Sequence, residues 1–161
     1  MSRFSNEAIQ AIVASAGYDD PEAVGYLART LIRRHDIIAR VWLNGVNPIV
    51  DASLSPAGVL TFTNAAVAAR VATHGTYAIE WGRFDNTTGE IESLGSETRN
   101  EPGGSAPANA LATTEYLVAT ISSAHSDQPG WSQPVRVYFR KQAGAWTTVG
   151  LVRQQLVVAT D

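Results

Sequence analysis

The sequence predicts an α+β domain in which an N-terminal antiparallel helical hairpin precedes a mostly antiparallel β-sandwich. Three observations carry that prediction. Apolar residues recur every three to four positions over residues 5–44, the recurrence shortens to two beyond Asn44-Gly45 and Asn47-Pro48, and about seven short strand-like runs follow. At 161 residues the chain has the size of one domain, 1–161, and enough length for one sizeable core. By strand count the sandwich is of immunoglobulin or fibronectin type. The alternative is a curved antiparallel sheet holding the helices in its concave face, which would bury Leu31 and Trp42 in the main core.

The helical part spans 5–44. Ser5 caps a first helix whose stripe is Ile9, Ile12, Val13 and Ala16, and Gly17 ends it. Asp20-Pro21-Glu22 is a strong start signal: the Asp20 carboxylate accepts from unpaired amides, proline suits the first helical position, and Glu22 favours the positive end of the dipole. The second helix is expected from Pro21 to about Leu43. Its apolar stripe is Val24, Leu27, Leu31, Ile38, Val41 and Trp42, with Arg29, Arg33, Asp36 and Arg40 opposite at spacings of three and four. The short link between Gly17 and Asp20 makes the pair a hairpin.

The β-rich part is expected over 48–158. Val59 to Thr63 is a strand, and Ala68 to Thr73 a weaker candidate. Tyr77, Ile79 and Trp81 alternate with Ala78, Glu80 and Gly82, and the turn chemistry of Asp85 to Gly89 leads into Glu90 to Leu94, which gives a hairpin over 76–94. Glu115 to Ser123 is a further strand. Val135, Val137 and Phe139 alternate with Arg136, Tyr138 and Arg140, Gln142-Ala143-Gly144 turns, and Trp146 to Val152 returns. The Gly-, Ser-, Pro- and Asn-rich stretch 95–114 reads as a long mobile loop.

Composition narrows the functional classes. The charge of −3 argues against a general nucleic-acid binder, which needs a basic surface to displace counterions from phosphates. No apolar run approaches the ~20 residues of a membrane span, and Met1 to Ser5 lacks the apolar core of a signal peptide. The expectation is a soluble chain, cytoplasmic or exported after loss of a targeting segment. Its start directly on a helix signal suits a domain excised from a larger bacterial protein. With no cysteine there is no disulfide, thiolate ligand or cysteine nucleophile, which fits a reducing compartment or a disulfide-free exported protein. Lys141 is the sole lysine among twelve basic residues, a bias that coding usage alone explains.

Catalytic patterns are missing. His35, His74 and His125 belong to no metal-ligand spacing, and no metal or cofactor is expected. There is no G-x-S-x-G elbow and no S-x-x-K signature. Glu80, Glu90 and Glu92 fall close together on the first β-hairpin, so a hydrolase built on paired carboxylates is one alternative, which requires a shared pocket and a raised pKa.

Two groups of residues suit binding. Trp131, with His125 and Asp127 in the polar loop before it, either closes the end of the sandwich or stacks on a sugar as in a carbohydrate-binding module. Arg29, Arg33, Arg34 and Arg40 form a basic helix face that would dock an acidic partner, either another protein or a neighbouring domain of the same chain. The reading is therefore a non-catalytic binding, accessory or structural module.

Overall fold

The computed structural model describes residues 5–153. Helix α1 (Asn6–Ala14) starts where the Ser5 hydroxyl accepts from the Ala8 amide at 3.2 Å. Gly17, at a φ of +73°, lets the chain reverse. Helix α2 (Pro21–Gly45) begins at the expected cap, with Asp20 Oδ1 accepting from the Glu22 amide at 2.8 Å, and runs two residues past the expected end.

The remainder forms two antiparallel sheets. The smaller has the order β1-β2-β5, from β1 (Ile49–Leu54), β2 (Val59–Asn64) and β5 (Gly104–Ser105). The larger has the order β4-β3-β6-β7-β8, from β3 (Thr76–Phe84), β4 (Ile91–Arg99), β6 (Tyr116–Ala124), β7 (Val135–Gln142) and β8 (Ala145–Arg153). Short helices α3 (Ala65–Ala68) and α4 (Ala108–Thr113) and a 3-10 turn (Pro129–Ser132) fill the connections. The architecture is the expected α+β arrangement with a sandwich-like β part.

Alternation on the larger sheet supplies most of the core. Tyr77, Ile79 and Trp81 of β3, Leu117 and Ile121 of β6, and Phe139 of β7 are buried. They meet Ile49, Leu54, Leu60 and Phe62 of the smaller sheet in the same cluster, and Phe62 sets its edge against Tyr77 at 5.2 Å. Burial pushes the Tyr77 phenol pKa up, and the hydrogen bond from Asn64 Nδ2 partly offsets this.

Four sequence expectations change. Ala68 to Thr73 is no strand, because Asn64 Oδ1 accepts from the Ala66 and Val67 amides and caps α3 at that point. Strand β1 was not foreseen; its pairing with β2 shifts register between Val50 and Ser53, which breaks the alternation that would reveal it. The stretch 95–114 is no long loop: β4 extends to Arg99, β5 pairs with β2, and α4 follows. The helices do not fill a concave sheet, since Trp42 is 68 % exposed and Leu31 38 % exposed. The expected end of the β-rich part near residue 158, and the opening segment 1–4, lie outside the described residues.

Helix α2 is fastened to the sandwich at its C-terminal end. Trp131 Nε1 donates to the Leu43 carbonyl at 3.0 Å. Gly130 lies so close to the end of α2 that a Cβ there would sit 2.7 Å from the Gly45 oxygen. Just beyond the helix, buried Asn47 donates through Nδ2 to the carbonyls of Ile121, at 3.0 Å, and Gln133, at 2.9 Å.

Candidate docking surface on the second helix

The side of α2 that packs against the protein is not its most apolar side. Successive residues advance 100° around a helix, so Ala28, Ile32, His35, Ala39 and Leu43 share one face. These are the buried or half-buried positions, and Val13 of α1 is buried with them. The face is built from two alanines, a histidine and two larger aliphatics, and small residues permit close approach. The expected apolar stripe is rotated away from it. Val24 and Leu27 are half-buried, while Leu31, Ile38, Val41 and Trp42 are exposed, Val41 and Trp42 to 65 % and 68 %. A run of exposed large apolar residues along one helix marks an interaction surface.

One arginine row lies across the helix from this stripe, and a further arginine interrupts it. Arg29, Arg33 and Arg40 run along the side of the helix opposite the stripe, where with Ile32, Asp36 and Ile37 they line a shallow groove of about 410 Å³. None of the three forms an ion pair among the described residues; Asp36, the acid in their row, contacts His35 Nδ1 at 3.3 Å. Arg34 falls inside the apolar stripe, between Leu31 and Ile38, and it too is exposed without an ion pair among the described residues.

The second predicted group assembles elsewhere. Trp131 is fully buried, so its ring offers no face to a sugar. His125 packs against it with centroids 5.0 Å apart. The Asp127 amide donates to His125 Nδ1 at 3.1 Å, which fixes the ring as the tautomer whose Nε2 hydrogen points at Thr73 Oγ1, 3.0 Å away. Asp127 itself is exposed. This cluster closes the end of the sandwich, and among the described residues no hydrogen bond or ion pair links it to Arg29, Arg33 or Arg40.

The three carboxylates considered for hydrolysis point into solvent. Glu80 and Glu90 are exposed, and Glu92 pairs with Arg83 at 3.4 Å on the surface. The carboxylate that is tied into the fold is Glu97, which the sequence did not single out. It accepts from the Ser105 amide at 2.6 Å, Arg99 Nε at 2.8 Å and Trp81 Nε1 at 3.4 Å. Burial by itself would raise its pKa, but the Ser105 amide, Arg99 and Trp81 together hold the carboxyl below the usual range. Its work is structural: it clamps β5 against β4.

Aromatic residues on the outer face of the larger sheet pack on one another. Phe84 sets its edge against Tyr138 at 5.0 Å and against Tyr116 at 6.4 Å, and Arg140 lies over Tyr116. Edge-to-face rings do not make the flat platform on which a sugar stacks. Among the described residues, no three His, Asp or Glu side chains come together as metal ligands, and no helix is long and apolar enough to cross a membrane. Comparison with protein-family models, curated proteins and solved structures yields no match.

Proposed function

We propose that this chain is a non-catalytic docking module, in which the sandwich is the scaffold and the free face of α2 is the contact surface. The observation that carries the reading is that α2 leaves Leu31, Ile38, Val41 and Trp42 in solvent while the sandwich core closes without them. A helix of 25 residues buries its own packing face through Ala28 and Ala39 and keeps a second apolar face in reserve. Arg34 within the face, and Arg29, Arg33 and Arg40 on the other side of the helix, favour a partner with acidic groups, through charge that steers association. The partner is another protein or a neighbouring domain of the same chain.

The reading is tested by placing a photo-crosslinking amino acid at Ile38 and, as a control, at Glu80 in the protein expressed in its native cell. An adduct of one discrete mass from position 38, absent from position 80, is the expected result. No adduct from position 38, or equal labelling from both positions, sinks the docking role of α2.

A further inference from the structure

Resting on the docking reading, we propose that the occupant of the α2 face is an amphipathic helix of another protein that sets a carboxylate against Arg34. The spacing carries the first half of the inference. Val24, Leu27, Leu31, Arg34, Ile38 and Val41 follow one another at intervals of three, four, three, four and three. That is the core pattern of a three-heptad coiled coil, a seam built to receive the side chains of a second helix. Val24 and Leu27, at the N-terminal end of the seam, are half-buried, while Leu31, Arg34, Ile38 and Val41 stay exposed. Trp42 and Ile37, 68 % and 51 % exposed, widen the seam on its two sides.

Arg34 carries the second half. It is the one charged residue in the seam, and it occupies a central core position. A partner helix covering Leu31 and Ile38 must also cover the Arg34 stem and desolvate its guanidinium, which is costly unless a carboxylate meets it. A polar group at a single core position selects partner and register in this way. A second copy of the chain supplies no such acid. In a parallel pair Arg34 would face Arg34, and in an antiparallel pair centred on the seam it would face Leu31 of the second copy, so neither arrangement brings a carboxylate to it. The four arginines of α2, against only Glu22 and Asp36, add to that repulsion. A lipid surface could solvate the arginine row with anionic headgroups. It would press Arg34 toward the acyl chains together with Leu31 and Ile38, without the single fixed carboxylate that a helix provides.

The test uses a synthetic three-heptad helical peptide with leucine at its core positions and Glu at the central one, fluorescently labelled and titrated with the full chain by anisotropy. A twin peptide carries Lys in place of that Glu. Saturable binding of the Glu peptide, at least tenfold tighter than the Lys peptide, with the preference reversed by Arg34→Glu, is expected. Circular dichroism checks that the variant keeps its fold. Equal affinity for the two peptides, no saturable binding of the Glu peptide, or an unchanged preference in Arg34→Glu overturns the proposal. Sedimentation of the chain alone and flotation with phosphatidylglycerol vesicles separate the failures. A dimer lost in Ile38→Glu, or vesicle binding lost in the same variant, overturns the partner-helix proposal and leaves the docking reading standing. Absence of peptide binding, self-association and vesicle binding removes both.

Discussion

Two tryptophans on either side of one junction give the sharpest check on where α2 stands. Trp131 is fully buried, packs on His125 and donates to the Leu43 carbonyl, whereas Trp42, one residue from that carbonyl in sequence, is 68 % exposed. Truncating a buried tryptophan to alanine costs about 3–5 kcal/mol in lost transfer energy and cavity. The orphaned Leu43 carbonyl adds about 1 kcal/mol, so about 5 kcal/mol is expected for Trp131→Ala. Trp42 keeps only about a third of its surface out of water, on the order of 50–80 Å², worth about 1–2 kcal/mol at ~25 cal/mol/Å². The better helix propensity of alanine returns about 0.5 kcal/mol, which leaves about 1 kcal/mol for Trp42→Ala. In urea unfolding followed by far-ultraviolet circular dichroism, a slope of ~2 kcal/mol/M turns these into midpoint losses of about 2.5 M and about 0.5 M. Equal losses in the two variants would mean that the Trp42 ring is packed inside the domain, and the account of a free apolar face on α2 would be wrong.

Three further perturbations probe how the scaffold holds that helix. Asn47→Ala removes the side-chain donors to the Ile121 and Gln133 carbonyls, and a loss of about 2–3 kcal/mol is expected in thermal unfolding; a change below ~0.5 kcal/mol would show those bonds to be dispensable. Gly130→Ala drives a methyl into the Gly45 carbonyl, so a destabilisation of about 1–3 kcal/mol with faster amide exchange over 40–45 is expected, and unaltered exchange would refute the close fit. For Glu97, the folded-state pKa lies below the unfolded value, so the carboxylate contributes stability above pH ~4.3 that is lost as pH falls through the folded value. Glu97→Gln is accordingly expected to cost about 1–2 kcal/mol at pH 7, and the gap to wild type should shrink below pH ~4; a pH-independent gap would contradict the charged clamp.

Legibility followed the range over which each signal acts. The caps at Ser5 and Asp20, the turn at Gly17 and the alternation of Tyr77, Ile79 and Trp81 are local in sequence, and each stands where expected. The stretch 95–114 misled because its glycines and prolines read as a loop, while a carboxylate at Glu97 and an amide at Ser105, eight residues apart, pin it to the sheet. Helix α3 was missed because Asn64 belongs to β2 and caps the following turn at once, so strand and helix share a residue's work. In the candidate site, the residues of the basic row and the apolar stripe were legible, but their exposure was not.

The sequence by itself determined that α2 exists, where it starts, and which of its residues form an apolar stripe, because periodicity and capping depend on neighbours within one or two turns. It also determined the inward and outward faces of β3, β6 and β7 by alternation. Only the tertiary structure decided which side of α2 faces the protein. A helix carrying both a small-residue face with Ala28 and Ala39 and a larger apolar face with Leu31, Ile38 and Val41 offers two packing surfaces of its own. The choice fell to the fastening of its C-terminal end, where Trp131 and Gly130 of the turn after β6, and Asn47 of the link between α2 and β1, fix the helix by hydrogen bonds and close contact that no periodicity encodes.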